Sequence, residues 1–267
     1  MIMPSTSIIV DGKPIDIGIP VYTWKDPNGF NGYLIGESIV KDKTGKVIKV
    51  IKGPRYSQRP HGLKDIRQAF THHSGGDRKD PSIMYDVLWK QRGLSVHFAG
   101  EDDGRIYQFL DVVHSAWHAS SHNGFSFGTE LCLFPFVNDD PSFYSPENCK
   151  KRNNLPHDQH IETIQNVKRN VYMMPEAQID SYSRVVGAVW AAVTIAKGIE
   201  LTIPKFPRNE QQQIPKEAIE TSEAKAHVGL IAHMHTNAKK SDPAGFNWEL
   251  CELLVERYVQ QFYSSLR

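Results

Sequence analysis

The chain lacks a charge excess, a cysteine framework and a long apolar segment, and each absence excludes a class of protein. Its 267 residues carry 31 basic and 30 acidic side chains, so no overall field attracts nucleic acid or an anionic membrane. Three cysteines, Cys132, Cys149 and Cys251, are too few and too scattered for a disulfide framework or a cysteine metal cluster. The longest apolar run, residues 185–196, is too short to cross a bilayer, so we expect no membrane insertion.

The first residues also lack the basic segment and long apolar stretch of a secretory signal peptide. We therefore expect the protein to be made in the cytoplasm without a signal peptide. The cysteines give no indication of an oxidising compartment, and Cys132, in an apolar strand, is expected to be a buried, inert thiol.

Histidine is the residue type in excess. The chain has 12 histidines, and most of them fall in or near short motifs between residues 70 and 131 or near residue 233. Metal binding or acid–base chemistry is the functional interpretation of this excess. For about half of them, an exposed polar position is the alternative interpretation.

Hydrophobic patterns predict strands that alternate with helices. Strands are predicted at residues 7–10, 47–51, 66–71, 95–101, 105–110, 127–134 and 228–232, with hairpin turns at 11–12, 43–46 and 102–104. Helices are predicted at residues 81–93, 179–196 and 246–262, the last with Leu250, Leu253 and Leu254 buried. This alternation predicts an α/β fold with a mixed central sheet flanked by helices.

The chain divides into segments of different character. Residues 1–65 read as a β-rich N-terminal extension whose role the sequence does not indicate. Residues 66–267 form the predicted catalytic domain, interrupted by a polar insertion at 137–176. That insertion is either a lid or substrate-facing loop or a plain surface loop, and both alternatives stay open.

Three side chains make a possible metal site if the fold brings them together: His72, His233 and Asp242. Catalytic zinc typically takes three such ligands and leaves a position for water, whose pKa it lowers to about 7. The central strand would deliver His72 at its end, with His73 facing the opposite side and so outside the same pocket. This evidence is weak alone, because a histidine at a strand end is more often structural.

A set of short motifs runs in order through the chain and strengthens this interpretation. They are FTHHSGG, RGLSVHF, DGRIYQ, AWHAS and FSFGTEL, followed by His233 and KSDP at residues 240–243. With these motifs the chain resembles the zinc-dependent N-acetylmuramoyl-L-alanine amidases of the phage-lysozyme and peptidoglycan-recognition-protein family, the type 2 amidases. The resemblance covers residues 66–262, apart from the insertion, and implies an amidase-like mixed sheet and a bound Zn²⁺.

The resemblance implies that His72, His233 and Asp242 are the zinc ligands. Asp242 stands where phage lysozyme and the recognition proteins have cysteine, and this aspartate resembles the branch that cleaves muropeptides. The spacing after His233 departs by about one residue from the family pattern, which leaves His235 as a rival ligand. Many phage members have a tyrosine where this chain has Val96, so that tyrosine's role is absent or falls to Glu130.

The resemblance also implies catalytic and substrate-binding residues. Glu130 matches a carboxylate that orients or deprotonates the attacking water, and Lys240 matches a lysine that stabilises the oxyanion. Without the resemblance, Glu130 reads as a structural carboxylate and Lys240 as a solvated charge. Trp117, His118 and Asn123 match a loop that lines the substrate groove, and His118 is placed to polarise the scissile carbonyl.

Three further histidines are expected to have no catalytic role. His97 lies within a predicted strand and is expected to have satisfied hydrogen bonds, either in the core or in contact with the residues of the metal site. His114 and His122 flank the groove loop and are expected at the surface.

The predicted function is zinc-dependent hydrolysis of the amide bond between N-acetylmuramic acid and L-alanine, in peptidoglycan or in muropeptides. Without a signal peptide, three roles fit: an endolysin released through a holin, a toxin exported by a secretion system, or a cytosolic recycler of muropeptides. Two alternatives stay open, namely a recognition module without catalysis and a zinc hydrolase of a stem-peptide bond.

Overall fold

The computed structural model describes residues 4–34, 36–75 and 81–267. The strands of this part of the chain are β1 (Ser5–Val10), β2 (Lys13–Thr23), β3 (Gly36–Lys41), β4 (Val47–Gly53), β5 (Tyr56–Gln58), β6 (Gln68–His73), β7 (Phe98–Gly100), β8 (Ile106–Gln108), β9 (His114–Ala116), β10 (Ser126–Leu131), β11 (Gln159–Ile164), β12 (Val167–Tyr172) and β13 (Gly229–Ala232). The α-helices are α1 (Pro81–Tyr85), α2 (Pro146–Arg152), α3 (Glu176–Lys197), α4 (Thr221–Ala226), α5 (His233–Thr236) and α6 (Trp248–Leu266).

A seven-stranded mixed sheet forms the centre, in the order β1-β2-β8-β7-β10-β6-β13. The four strands β7, β10, β6 and β13 are parallel, whereas β1 pairs antiparallel with β2, and β7 pairs antiparallel with β8. Helices cover both faces of the sheet, so the predicted fold class is confirmed.

The two faces of the sheet are built from alternate residues of each strand. Phe98 and Ile106 face the main core, which is completed by α3 and α6, packed against each other. Ala99 and Tyr107 face a second core with α1 and the π-helical segment that follows it, Asp86–Arg92. Phe70 of β6 lies opposite the α3 side, in a small cluster with Ile231.

The long helix α3 follows the predicted pattern. Ile179, Tyr182, Val186, Val189 and Val193 are all at most 2 % exposed, which explains why this run folds as a core helix. The helix ends where Gly198 adopts a positive φ of 65° and caps it, as predicted.

Helix α6 corrects one prediction. Leu253 is 66 % exposed, so its predicted burial was wrong, and Leu250 and Leu254 are only partly buried. The buried stripe lies on a neighbouring face of the helix, made of Cys251, Val255, Tyr258, Val259 and Phe262.

The N-terminal residues contribute directly to the sheet. Asp11 and Gly12, with φ of 52° and 73°, make the predicted tight turn, and the β1–β2 hairpin that it closes pairs through β2 with β8. The other predicted hairpin, β3–β4, is a separate two-stranded sheet beside the π-helical segment.

The insertion at 137–176 is folded, with α2 and the antiparallel hairpin β11–β12.

Three smaller predictions can also be compared with the structure. The predicted C-terminal helix cap at Gly93 is confirmed, while the predicted N-terminal cap, Asp80, lies outside the described residues. All three cysteines are buried free thiols, as expected for Cys132. Among the described residues, none of the helices combines the length and apolar character needed to span a bilayer.

Candidate metal centre and active site

The site forms at the carboxyl edge of three neighbouring parallel strands. In β6, His72 pairs in register with Glu130 of β10, and the next strand, β13, ends one residue before His233. Parallel strands bring their carboxyl ends to one edge of a sheet, so residues distant in sequence meet there. His72 also stacks on Phe70, two residues earlier on the same face, with ring centroids 4.7 Å apart.

A short loop returns Asp242 to His233. The chain turns through α5, and the N–H of Met234 donates to the carbonyl of Asp242 at 2.9 Å. The hydroxyl of Thr236 donates to the carbonyl of His233, which closes the first turn of this loop. The backbone thus fixes both ends of residues 233–242 beside β6.

Three ligand-type atoms converge as a result. Asp242 Oδ2 lies 2.9 Å from His233 Nδ1 and 3.3 Å from His72 Nδ1, and the two ring nitrogens are 3.1 Å apart. A tetrahedral zinc ion spaces its nitrogen and oxygen ligands about 3.4 Å apart, since its bonds to them are about 2.1 Å long. The donor set and its spacing therefore fit Zn²⁺.

The protonation states also suit a metal. Burial lowers the pKa of His72 to about 4, so its imidazole is neutral at pH 7. Burial alone would raise the pKa of Asp242, but the hydrogen bonds with His233 and His72 hold it well below its usual range. Metal ligands must be deprotonated, and these two are so without any metal.

His118 holds His72 from behind. Its Nδ1 lies 3.0 Å from His72 Nε2 and its Nε2 lies 3.3 Å from Ser126 Oγ, whose hydroxyl donates to the carbonyl of His122. A metal ion at His72 Nδ1 would leave the proton on Nε2, which would then donate to His118. Burial and the neighbouring His72 and His97 keep the pKa of His118 well below its usual range.

A cavity of about 450 Å³ opens over the three ligand atoms. Glu130 and Lys240 both line it, beside Asp242. Two further cations, Arg92 and Lys239, also line it, together with an apolar wall that includes Met84, Val87, Leu88, Phe134 and Phe136. The site thus places a carboxylate and a lysine in the same cavity as three side chains that could bind a metal ion.

A second cavity, of about 500 Å³, continues past His118 and His233. Trp117 lines it, and so does Asn123, whose Oδ1 accepts from the N–H groups of His118 and Ala119 at 3.1 and 2.6 Å. The structure therefore places Asn123 as the organiser of this loop as well as part of its wall.

His235 is outside the ligand group. It is fully buried, its Nδ1 accepts from the N–H of Ala232, and its Nε2 donates to the carbonyl of Pro215 at 2.8 Å. His73, by contrast, borders the same cavity as His72, although it was expected to face elsewhere. Both faces of β6 are reached there because the cavity lies at the very end of the strand.

The three histidines that were expected to have no catalytic role lie in different environments. His97 is the predicted core residue, with its Nε2 2.9 Å from the carbonyl of His114 and its Nδ1 accepting from the N–H of Gly128. The surface prediction for His122 was wrong: it is 4 % exposed, because a 3₁₀ turn at Ser120–Phe125 brings its ring against Phe70. His114 is half-buried against the rings of Tyr33 and Tyr56.

Comparison with known proteins decides the family. The sequence profile described as N-acetylmuramoyl-L-alanine amidase matches residues 62–245, which is more than half of the chain. The chain belongs to the N-acetylmuramoyl-L-alanine amidase family. Members of this family hydrolyse amide bonds of peptidoglycan.

Similar solved structures have low sequence identity to this amidase. N-acetylmuramoyl-L-alanine amidase LysC from Clostridium intestinale is 14 % identical, with a TM-score of 0.41 over 73 % of this chain and 88 % of that one. A selenomethionine derivative of AmpD is 16 % identical, with a TM-score of 0.40 over 85 % and 98 %. The hydrolase AmiA of Staphylococcus aureus is 12 % identical, with a TM-score of 0.43 over 77 % and 79 %. No curated protein sequence matches the chain.

One residue that organises the site of this amidase precedes the matched range. The guanidinium of Arg59, which is 5 % exposed, donates to the carbonyls of Val112, His114, Asn123, Gly124 and Ser126. Burial lowers the pKa of Arg59 to about 10, so it stays charged at pH 7. It ties the loop of His118 to β10, and no sequence pattern marks it, since its partners are all backbone.

Proposed function

We propose that this amidase is zinc-dependent and cleaves the amide bond between the lactyl group of N-acetylmuramic acid and L-alanine. His72, His233 and Asp242 would hold the Zn²⁺. The observation that carries the proposal is the convergence of their three ligand atoms within 4.8 Å of one another, in a cavity of a chain from this family.

The chain's own residues would divide the work around that ion. Bound zinc would supply Lewis acidity and lower the pKa of a water to about 7. Glu130, level with His72 in the sheet, would take the proton of the attacking water and pass it to the leaving amine. The Lys240 ammonium would face the oxyanion that develops on the carbonyl, a contribution typically worth a few kcal/mol.

Substrate would lie along the two connected cavities. Trp117, His118 and Asn123 line the second one, where they would contact a glycan or peptide backbone. His118 has both ring nitrogens engaged within the protein, so its main part would be to orient His72. The apolar wall of the first cavity suits the side of the substrate that carries few polar groups.

Peptidoglycan or a muropeptide would be the substrate in any of three settings. The chain would act as an endolysin released through a holin, as a toxin exported by a secretion system, or as a recycler in the cytoplasm. The presence of all three ligands favours an enzyme over a recognition module without catalysis. A zinc hydrolase of a stem-peptide bond is the second alternative, and the products distinguish it.

The test is digestion of purified peptidoglycan with mass spectrometry of the products and metal analysis of each protein. The parent should hold zinc and release stem peptides that begin with L-alanine. His72→Ala should lose both metal and activity, and Glu130→Gln should keep the metal while its kcat falls by about a hundredfold or more. His160→Ala, at an exposed position on β11, is the matched control and should behave as the parent.

Three other outcomes of this experiment would contradict parts of the proposal. A parent that binds cell wall but releases nothing, even with added zinc, would leave only the recognition module. Products that begin at a later stem residue would move the reaction to a stem-peptide bond. An active Glu130→Gln variant would return Glu130 to a structural role.

A further inference from the structure

The tip of the β11–β12 hairpin carries a glutamine in an unusual setting. Gln165 and Asn166 both have positive φ, 51° and 61°, a region that side chains other than glycine and asparagine seldom adopt. The Gln165 N–H donates to the carbonyl of Lys216 at 2.9 Å, and its Oε1 accepts from the N–H of Ala218 at 3.1 Å. The first bond holds the backbone of the turn, and the second orients the side-chain amide.

That orientation aims the amide nitrogen of Gln165 into the loop of the metal ligands. Nε2 donates to the carbonyl of Met234 at 2.9 Å and to that of Lys240 at 3.0 Å, with a longer contact of 3.4 Å to Asn237. Met234 directly follows His233, and Lys240 comes two residues before Asp242. One side chain therefore joins the outgoing and the returning arms of this loop.

A second residue of the same hairpin holds the chain just beyond Asp242. Glu162 is 4 % exposed, and its Oε2 accepts from the N–H of Gly245 at 2.9 Å. Its Oε1 pairs with Lys216 Nζ at 2.9 Å. The hairpin thus contacts the ligand loop through Gln165 and the residues after that loop through Glu162. The insertion that contains the hairpin nevertheless carries none of the family motifs.

We propose that Gln165 is a positioning residue of the metal centre, through which the inserted hairpin sets the separation of His233 and Asp242. This rests on the proposed function, in which those residues bind zinc. Metal ligands must be held within roughly 0.5 Å of their productive positions, and loss of a group that orients them typically costs about 10- to 100-fold in metal affinity. Asn237 and Lys239 are exposed, whereas the carbonyls of Met234 and Lys240 face the hairpin and are joined by Gln165.

Two variants remove the bridge in different ways. Gln165→Gly deletes the amide, and because a φ of 51° suits glycine the turn is relaxed rather than strained. Gln165→Glu keeps the shape and loses the donor, since a carboxylate cannot donate to carbonyls. Asn166→Gly is the matched control: it deletes an amide from the same turn, and that amide donates to exposed Glu217 instead.

Three measurements separate positioning from simple stability. Zn²⁺ affinity is measured by competition with a chromophoric chelator, the geometry of the centre by the visible spectrum of the Co²⁺-loaded protein, and stability by thermal unfolding. We expect both Gln165 variants to bind Zn²⁺ about tenfold or more weakly and to change the cobalt spectrum. Asn166→Gly should keep both properties of the parent.

The result that overturns the inference is a Gln165→Gly protein with the zinc affinity and cobalt spectrum of the parent. Equal losses in Gln165→Gly and Asn166→Gly would overturn it as well, because they would show only a weakened hairpin. A parent that binds no zinc would instead refute the proposed function, and the inference with it. The two failures are therefore distinguishable.

Discussion

Replacing Gly128 by alanine should disturb the metal centre without removing any functional group. Gly128 lies in β10 directly beneath the ring of His118, and a Cβ there would lie 2.5 Å from His118 Nδ1 and 2.7 Å from its Cε1. Nδ1 is also the atom that lies 3.0 Å from His72 Nε2. The added methyl group therefore pushes on the contact that orients a ligand.

The magnitude follows from the distances. Non-bonded heavy atoms pack at about 3.5 Å or more, so the His118 ring must move by about 1 Å. The hydrogen bond between His72 Nε2 and His118 Nδ1 is 3.0 Å long. Such a shift lengthens it to about 3.2 Å if the ring moves along its normal and to about 4 Å if it moves along the bond, so the contact is bent or broken. We expect zinc affinity or kcat to fall by about 10- to 100-fold, with about 1–3 kcal/mol lost in stability from overpacking.

Chelator competition for zinc and the rate of stem-peptide release are the assays, with denaturation in urea to measure stability. Gly124→Ala is the matched control, since a Cβ there has no atom within 4 Å. A double-mutant cycle with His118→Ala identifies the cause, because the Gly128 change should add little once the ring is gone. Full zinc affinity in Gly128→Ala, or losses that simply add to those of His118→Ala, would refute the reasoning.

Two predictions concern the rest of the fold. Gly187→Ala gains about 1 kcal/mol of helix propensity in α3. Its Cβ, however, would lie 2.6 Å from Tyr258 Cβ and 2.9 Å from the Tyr258 carbonyl carbon. We therefore expect the free energy of unfolding, measured by urea denaturation, to fall by about 1–3 kcal/mol. A variant as stable as the parent would show that α3 and α6 separate at little cost. Burial lowers the pKa of His97 to about 3, below its unfolded value of 6.5, so its stabilising effect is present above pH 6.5 and lost as pH falls. Between pH 7 and pH 5 the parent should lose about 2 kcal/mol more than His97→Gln, and equal losses would contradict the burial of a neutral imidazole.

Much of the fold could be predicted because its signals are local. The apolar spacing in α3 predicted a buried helix, and Asp11-Gly12 predicted a tight turn, and both features depend on neighbouring residues only. Leu253 shows the limit of such patterns. Several apolar stripes are possible on α6, and the choice among them depends on which one meets α3.

The site could be predicted only where a residue belongs to a motif. His72, His233 and Asp242 meet because three parallel strands end at one edge, an arrangement that the motifs imply but their spacing does not. His122 was misplaced, because its burial depends on how a 3₁₀ turn packs on β6. Gln165 could not be found at all, since its partners are carbonyl groups, and carbonyl groups are common to every sequence.

The position of Arg59 affects where a truncated or chimaeric form of this enzyme can begin. The family profile begins at residue 62, three positions after Arg59, whose guanidinium donates to five carbonyls in and on either side of the groove loop. A fragment or chimaera that starts at the profile boundary would contain every ligand and every motif, yet five backbone acceptors would lose their common donor. The stretch that the family shares and the stretch that builds a working groove therefore begin at different residues.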